Sequence, residues 1–260
     1  MPSLTVKDLL ALKGVRRIAF VQVARESEAL AASAAGMDMV GTGFRPETRH
    51  FASLVPETHF QFGLRWGRHA TAEAALLTAM EAMEAGAQSI YCGMSPAVVE
   101  VLAREGVPVI AHVGLVPPKA TWVGGMRAVG RTARQAHEVY RASRDFESAG
   151  AFALEIEVVP ARVAEAITRD VSILTISLGS GTGCDATYLF SEDLLGENRG
   201  HVPRHAKVYR DFAAERDRLQ AERIAAYREY IDDVRSARYP TVAHDVTIDD
   251  EEWDRFRAMI

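Results

Sequence analysis

Residues 148–163 read "SAGAFALEIEVVPARV", an apolar run between two helical patterns. Side chains on a strand alternate between its two faces, so Glu155 and Glu157, two positions apart, point to the same side. Burying two carboxylates side by side opposes their ionisation and requires polar partners. This stretch therefore predicts a strand that carries a functional pair of acids.

Outward from this strand, the chain keeps alternating short apolar runs with helical patterns. The apolar runs are RIAFVQV (17–23), MDMVGTG (37–43), HFQFGL (59–64), QSIYCGM (88–94), VPVIAHVGL (107–115), FALEIEVV (152–159) and SILTISLGSG (172–181). Strands that are apolar on both faces and alternate with helices are typical of parallel sheets covered by helices. About eight such units predict an α/β fold, a (β/α)8 TIM barrel. A Rossmann sheet is disfavoured because no Gly-rich phosphate loop follows the first strand.

The last part of the chain differs in composition from the rest. Residues 207–240 combine helical periodicity with a high charge density, and "TIDDEEWDRFRAMI" ends the chain with an acidic-capped short helix. We therefore expect a single-domain barrel over residues 1–216. Residues 217–260 are expected to form a helical extension and tail that pack on the barrel or on a neighbouring subunit.

Composition favours an ordinary globular protein. The 260 residues are 48% hydrophobic and 25% charged, with a formal net charge of -5, which gives no electrostatic reason to expect nucleic acid or an anionic membrane as partner. Cys92 and Cys184 lack zinc-type spacing, and no apolar run approaches the roughly 18 residues of a spanning helix. The N-terminal stretch lacks the continuous apolar core of a signal peptide. We expect a cytoplasmic protein.

In a (β/α)8 barrel the C-terminal ends of the strands form the active face. Glu157 lies near that end of the sixth strand, and Glu155 lies one layer deeper in the lumen. The alternative is that the glutamates face the helical layer and pair with Arg134 or Arg144.

The opening stretch also carries a family resemblance. Residues 149–168, "AGAFALEIEVVPARVAEAIT", resemble the segment of the ketopantoate hydroxymethyltransferase (3-methyl-2-oxobutanoate hydroxymethyltransferase) family that contains its general-base glutamate. Glu157 falls on that glutamate. Residues 107–131 resemble the family's His-x-Gly-Leu-x-Pro loop, and residues 200–212, "GHVPRHAKVYRDF", its Gly-His-Ile-Pro-Lys segment. With residues 71–87, which resemble the third helix, the likeness covers roughly residues 5 to 240.

The resemblance implies a barrel of the phosphoenolpyruvate mutase and isocitrate lyase superfamily, assembled as a homo-oligomeric ring. It also implies an aldol-type reaction. A base removes a proton next to the keto group of an α-keto acid, Mg²⁺ holds the enolate, and methylenetetrahydrofolate supplies a one-carbon unit. The cation stabilises the charge that develops on the enolate oxygen.

The acids that bind this metal in the family are absent here. The family's Val-Gly-Asp-Ser reads "VGTG", which puts Thr42 and Gly43 at the aspartate and serine positions. The second aspartate corresponds to Gly63, and the lysine and glutamate of Lys-x-Glu-Gly to Tyr91 and Gly93. Hard divalent cations need several oxygen ligands, so the usual Mg²⁺ site is not expected to form.

The base and the loop histidine are retained, which makes Glu157 and His112 the catalytic candidates. Arg25 and Arg65 stand at strand ends where the family has acids, and two guanidinium groups can hold a carboxylate bidentately. We therefore predict a rewired, metal-independent site for a small carboxylate. The candidate substrate-binding residues are Arg25, Thr42, Gly43, Arg65, Tyr91, Glu155 and Ser177. The alternatives are that each arginine is an exposed loop charge and that His112 only ties loops together.

Two further interpretations of the site stay open. In the first interpretation, the site binds a softer metal than Mg²⁺, because sets of His, Cys and carboxylate ligands suit zinc or iron. The candidate ligands for it are His59, Cys92, His112, Glu155 and Glu157. The other concerns "GSGTG" at 179–183, which is either an anion-binding loop or a plain turn.

Three classes of function remain. The first is an enzyme that makes or breaks a C–C bond in an α-keto acid or related small carboxylate through an enolate. The second is a genuine 3-methyl-2-oxobutanoate hydroxymethyltransferase that uses methylenetetrahydrofolate. The third is a non-catalytic small-molecule-binding paralogue.

Overall fold

The computed structural model describes residues 3–260, and eight parallel strands form a closed barrel. Each strand pairs with the next, and the first pairs with the eighth. The strands are β1 Ile18–Gln22, β2 Met39–Gly43, β3 His59–Gly63, β4 Ser89–Tyr91, β5 Val109–Gly114, β6 Ala153–Glu157, β7 Leu174–Leu178 and β8 Ala186–Phe190. The predicted (β/α)8 architecture is confirmed. Strand β8 lies outside the seven apolar runs identified in the sequence; it follows a glycine cluster and contains the exposed Thr187.

Helices connect the strands on the outside of the barrel. They are α1 Val6–Ala11, α2 Glu26–Ala34, α3 Phe51–Leu54, α4 Ala72–Glu84, α5 Pro96–Arg104, α6 Ala133–Ser148, α7 Ala161–Asp170 and α8 Ser191–Leu194. Thr71 and Thr132 begin α4 and α6, since each side chain accepts a hydrogen bond from the backbone N–H three residues on. None of the described helices is both long and apolar enough to cross a membrane.

The core has two layers, which explains why the strands are apolar on both faces. A lumen cluster includes Phe20, Met39 and Ile176, and Leu9 of α1 packs with it. The second cluster fills the space between strands and helices, and Leu154 and Ile156 belong to it. Strand β6 therefore sends its even-numbered side chains outward, and its odd-numbered ones, including both glutamates, into the lumen.

The chain divides into two compact units, Met1–Arg210 and Asp211–Ile260. The division falls at Arg210, before the expected boundary at residue 216. The second unit contains α9, Phe212–Arg235, and α10, Asp250–Arg257. Asp211 caps α9 through its side chain. Packing of this segment on the barrel or on another subunit stays a prediction.

Gly114, at the end of β5, permits the close approach of β5 and β6 beside the site. Its φ of 89° is left-handed, and a Cβ there would lie 2.3 Å from the Glu157 carbonyl oxygen. We expect Gly114→Ala to lower the free energy of unfolding by about 2 to 4 kcal/mol, because strain and a backbone clash add. Urea denaturation measures this.

The matched control is Gly106→Ala. Gly106 has a φ of 79°, but a Cβ on this residue would meet no atom within 4 Å. The substitution should cost about 1 kcal/mol, from strain alone. If both variants lost the same free energy of unfolding, the close backbone contact at Gly114 would make no contribution to the cost of the substitution.

Candidate active site

A cavity of about 670 Å³ opens at the C-terminal ends of the strands. Seven strands contribute a terminal residue to its wall: Gln22, Gly43, Gly63, Tyr91, Glu157, Leu178 and Phe190. Loops supply a rim of cationic residues, including Arg65, Arg127 and Arg204. A concave site at this end is where a barrel of this kind carries its chemistry.

One histidine and two carboxylates form the polar centre of the cavity. Because His112 of β5 is in register with Glu155 of β6, the pairing of these strands brings the three side chains together. His112 Nε2 lies 3.2 Å from Glu157 Oε2, and His112 Nδ1 lies 4.0 Å from Glu155 Oε1. The side chains are at most 10% exposed. Tyr91 shares a 2.6 Å hydrogen bond with His112 Nδ1, which fixes the ring orientation.

The protonation of this cluster is shifted by its surroundings. Burial raises the pKa of Glu155 to about 7, the Glu157 charge adds to the rise, and His112 opposes it. Burial alone would lower the pKa of His112, but the two carboxylates outweigh it and raise that pKa. The cluster thus gains or loses protons near neutral pH, as acid–base chemistry requires.

One atom of the cluster has no hydrogen bond. His112 Nε2 is fully buried and makes no hydrogen bond to any described residue, although Glu157 Oε2 lies 3.2 Å away. A buried polar nitrogen without a partner is costly. The atom is therefore available to a ligand, a proton or a cation.

The backbone after Glu157 is strained. Val158 has a φ of 49°, which is rare for a β-branched residue. Its N–H donates to the Leu178 carbonyl at 2.8 Å, and the Val159 N–H donates to Ser180 Oγ at 2.9 Å. Neighbouring strands thus hold the end of β6, and with it Glu157, in one conformation.

The structure brings most of the predicted site residues together. Besides His112 and Glu157, the cavity wall contains Thr42, Gly43, Arg65, Tyr91 and Glu155. The glutamates face the lumen and not the helical layer, where Arg134 pairs with Glu138 and Arg144 with Glu147.

Two predicted residues do not line the cavity. Arg25 forms ion pairs with Glu28, at 2.9 Å, and with Glu197, so its charge is already neutralised. Ser177 belongs to the outward-facing set of β7, and its Oγ accepts a hydrogen bond from the Ser180 N–H at 3.1 Å. The expected clamp of Arg25 and Arg65 is therefore not assembled.

Other lining residues were not predicted. Gln22, Gln61 and Tyr188 form a polar floor, and the Tyr188 hydroxyl donates to Gln22 Oε1 at 2.7 Å. Gly41 makes room for Gln61, since a Cβ would lie 2.5 Å from its Oε1. Both glutamines interrupt apolar strands at positions that face the lumen. The two-residue alternation of side chains along a strand could have identified them as cavity residues.

The glycine cluster at 179–183 serves packing. A Cβ on Gly179 would lie 2.6 Å from the His205 ring, so this glycine lets His205 reach the cavity wall. Ser180 Oγ donates to the Ile156 carbonyl at 2.7 Å and ties the loop to β6. These contacts favour the plain-turn interpretation of the motif.

Comparison with known proteins gives the family. A family model for ketopantoate hydroxymethyltransferase matches residues 60–242. The chain belongs to the ketopantoate hydroxymethyltransferase family. The resemblance seen in the sequence is confirmed.

Named relatives agree with the family. The "3-methyl-2-oxobutanoate hydroxymethyltransferase 1" of Methylibium petroleiphilum is 33% identical over 73% of this chain and 64% of its own length. The Frankia alni 3-methyl-2-oxobutanoate hydroxymethyltransferase is 41% identical over 66% of this chain and 55% of its own. The chain thus spans less than two thirds of these relatives. The Nitratidesulfovibrio vulgaris relative of the same name is 30% identical over 99% of this chain and 90% of its own length.

Solved structures share the fold. A 2,3-dimethylmalate lyase of the PEP mutase/isocitrate lyase superfamily superimposes with a TM-score of 0.54 at 13% identity, over 100% of this chain and 99% of its own. A putative phosphonomutase from Burkholderia cenocepacia gives 0.57 at 14% identity, over 72% and 93%. At such identities the likeness shows the barrel alone.

The positions where the family holds its metal do not fit a hard cation here. Thr42, Gly63, Tyr91 and Gly93 offer no carboxylate. A different group of donors exists on β5 and β6, because ligand atoms of His112, Glu155 and Glu157 all lie within 4.8 Å of one another. With the unpartnered Nε2, this set suits a softer divalent metal.

Two of the five predicted ligands for a softer metal lie away from His112, Glu155 and Glu157. His59 sits at the opposite end of its strand, where its ring nitrogens bond to the Leu4 carbonyl and Ser89 Oγ, each at 2.8 Å. Cys92 is completely buried outside the cavity wall. The prediction of a five-residue metal set is therefore reduced to three residues.

Proposed function

We propose that the protein makes or breaks a C–C bond in an α-keto acid or related small carboxylate through an enolate. The observation that carries this proposal is the position of Glu157. Its carboxylate lies beside His112 in a cavity that opens at the end of the barrel where substrates bind. Family membership supports the reaction class.

In this proposal Glu157 takes the proton from the carbon next to the keto group. His112, oriented by Tyr91, lies 3.2 Å from Glu157 and relays that proton. The neighbouring carboxylates raise the pKa of His112, which favours its protonated, proton-donating form.

Negative charge then develops on the enolate oxygen and needs fixed donors. The amide groups of Gln22 and Gln61 face the cavity, and Tyr188 orients Gln22 through its oxygen, which leaves the NH₂ as a donor. At the rim, Arg65, Arg127 and Arg204 have no ion-pair partner among residues 3–260. We propose that Arg65 and Arg127 hold the carboxylate next to the keto group, in place of the expected clamp that includes Arg25.

A second candidate function is genuine 3-methyl-2-oxobutanoate hydroxymethyltransferase activity with methylenetetrahydrofolate as co-substrate. The names of the relatives favour it. The loss of every carboxylate at the family's metal positions argues against it, because that reaction depends on the cation to hold the enolate.

A deuterium-exchange assay separates these functions. We expect the protein to exchange the protons next to the keto group of 2-oxo acids in the presence of EDTA. Added Mg²⁺ should change the exchange rate by less than about twofold, because the positions where the family holds this cation carry no carboxylate here. ¹H NMR in D₂O measures the rate. Ketopantoate formation that needs methylenetetrahydrofolate and Mg²⁺ would favour the second candidate instead.

Two other outcomes of this assay are informative. Loss of exchange in EDTA that Zn²⁺ or Mn²⁺ restores would show that the His112, Glu155 and Glu157 set takes a softer metal. Tight binding of 2-oxo acids by calorimetry, with no exchange under any condition, would show a non-catalytic paralogue.

We also propose that the protein is a homo-oligomer located in the cytoplasm. The family resemblance supports the assembly, and the composition supports the location. Multi-angle light scattering of the purified full chain gives the number of subunits.

A further inference from the structure

A second concavity adjoins the candidate active site. Its volume is about 600 Å³, and Ala128, Val158 and Arg204 line both spaces. Since Val158 directly follows Glu157, the two spaces meet at the end of β6. A ligand in the main cavity can therefore extend past Val158 into the second space.

The second concavity has basic and apolar walls. Arg131 and Arg204 are its charged residues, and the other wall residues are aliphatic, proline or glycine. Neither guanidinium group has an ion-pair partner in the described part of the chain. Nearby Arg134 and Arg144, by contrast, both pair with glutamates.

Two unpaired cations that face one space repel each other, and an anion between them removes the repulsion. The planar guanidinium group presents paired N–H donors that match the oxygens of carboxylate and phosphate. Both arginines are solvent-exposed, so such contacts are strongest at low ionic strength.

We propose that this space, the Arg131–Arg204 subsite, binds a second anionic group of the substrate. The substrate class is then a dianionic 2-oxo acid, with its keto end at Glu157 and a carboxylate or phosphate at the far end. The placement of the keto group at Glu157 rests on the proposed function, whereas the binding of an anion at the Arg131–Arg204 subsite does not.

Calorimetry at low salt tests the subsite with three probes: 2-oxobutanoate, 2-oxoglutarate and inorganic phosphate. We expect the wild type to bind 2-oxoglutarate at least about 10-fold more tightly than 2-oxobutanoate, from the added charge-assisted hydrogen bonds. Arg131→Gln should remove that preference and leave the affinity for 2-oxobutanoate unchanged. Phosphate should compete with 2-oxoglutarate in the wild type and not in the variant.

Arg134→Gln is the matched control, because Arg134 is an exposed arginine close in sequence that already pairs with Glu138. It should leave all three affinities unchanged. Equal affinity of the wild type for the two acids, no detectable binding of 2-oxoglutarate, or equal effects of the two substitutions would overturn the subsite. Circular dichroism checks that each variant is folded.

The same proteins separate this inference from the proposed function. If 2-oxoglutarate binds through Arg131 and no proton exchange occurs, the subsite stands and the enolate chemistry fails. If exchange occurs equally well with both acids and Arg131→Gln changes nothing, the chemistry stands and the subsite fails.

Discussion

Replacing Glu157 with glutamine is expected to slow proton exchange next to the keto group by at least about 100-fold. The change is nearly isosteric, so it removes the proton acceptor and keeps the packing around β6. The neighbouring contacts that hold this strand end, from Val158 to Leu178 and from Val159 to Ser180, involve backbone atoms that follow β6 and persist. The exchange rate of 2-oxo acids in D₂O measures the effect.

The matched control for this variant is Glu100→Gln. Glu100 is an exposed glutamate of α5 that pairs with Arg104, and its replacement should change neither exchange nor folding. Thermal unfolding of both variants should stay close to that of the wild type. Wild-type exchange in Glu157→Gln would refute the assignment of the base, whereas a loss of exchange together with unfolding would point to a structural role.

The fold could be predicted from the sequence because its signals are local. Strand and helix patterns are set by side-chain periodicity, and in a parallel barrel every strand is buried on both faces, which gives continuous apolar runs. Strand β8, Ala186–Phe190, was not among the predicted apolar runs, although it is as long as β1 and, like β1, contains one exposed residue. The two-residue period placed Glu155 and Glu157 on one face of β6, and the structure shows that this face is the lumen.

The site could be predicted only in part. The meeting of His112 with Glu155 depends on the register between β5 and β6, which the periodicity of each strand by itself does not give. The pairing of Arg25 with Glu197 could not be foreseen, because these residues are far apart in the chain and meet through a loop. The same holds for Arg127 and Arg204, whose loops carry no periodic signal.

Replacing Glu155 with glutamine is expected to stabilise the protein near neutral and alkaline pH. Burial raises the pKa of Glu155 to about 7, above its ordinary value of 4.5, so the folded protein favours the protonated carboxyl. The stability that this group contributes is complete below about pH 4.5 and is lost as the pH rises through about 7. Glutamine cannot ionise, so the variant avoids this loss.

At about pH 8 the gain should reach up to about 3 kcal/mol, an upper limit because Glu155 and His112 titrate together. At about pH 5 the variant and the wild type should differ by less than about 1 kcal/mol. Urea denaturation at both pH values in EDTA measures the two differences. Equal differences at the two pH values would show that Glu155 is not held in a costly ionised state.

Glu147→Gln provides a control of opposite sign. Burial alone would raise the pKa of Glu147, but hydrogen bonds from the Ser172 backbone N–H and hydroxyl, each 2.6 Å long, outweigh it and lower that pKa. A carboxylate with a lowered pKa stabilises the folded state above its ordinary pKa, so this variant should lose stability at about pH 8. Opposite effects of the two substitutions would separate the cost of the lumen carboxylate from any general effect of removing a charge. A gain that is present only in Glu155→Gln means that the barrel keeps an ionisable group at a cost in stability, which is typical of a catalytic site.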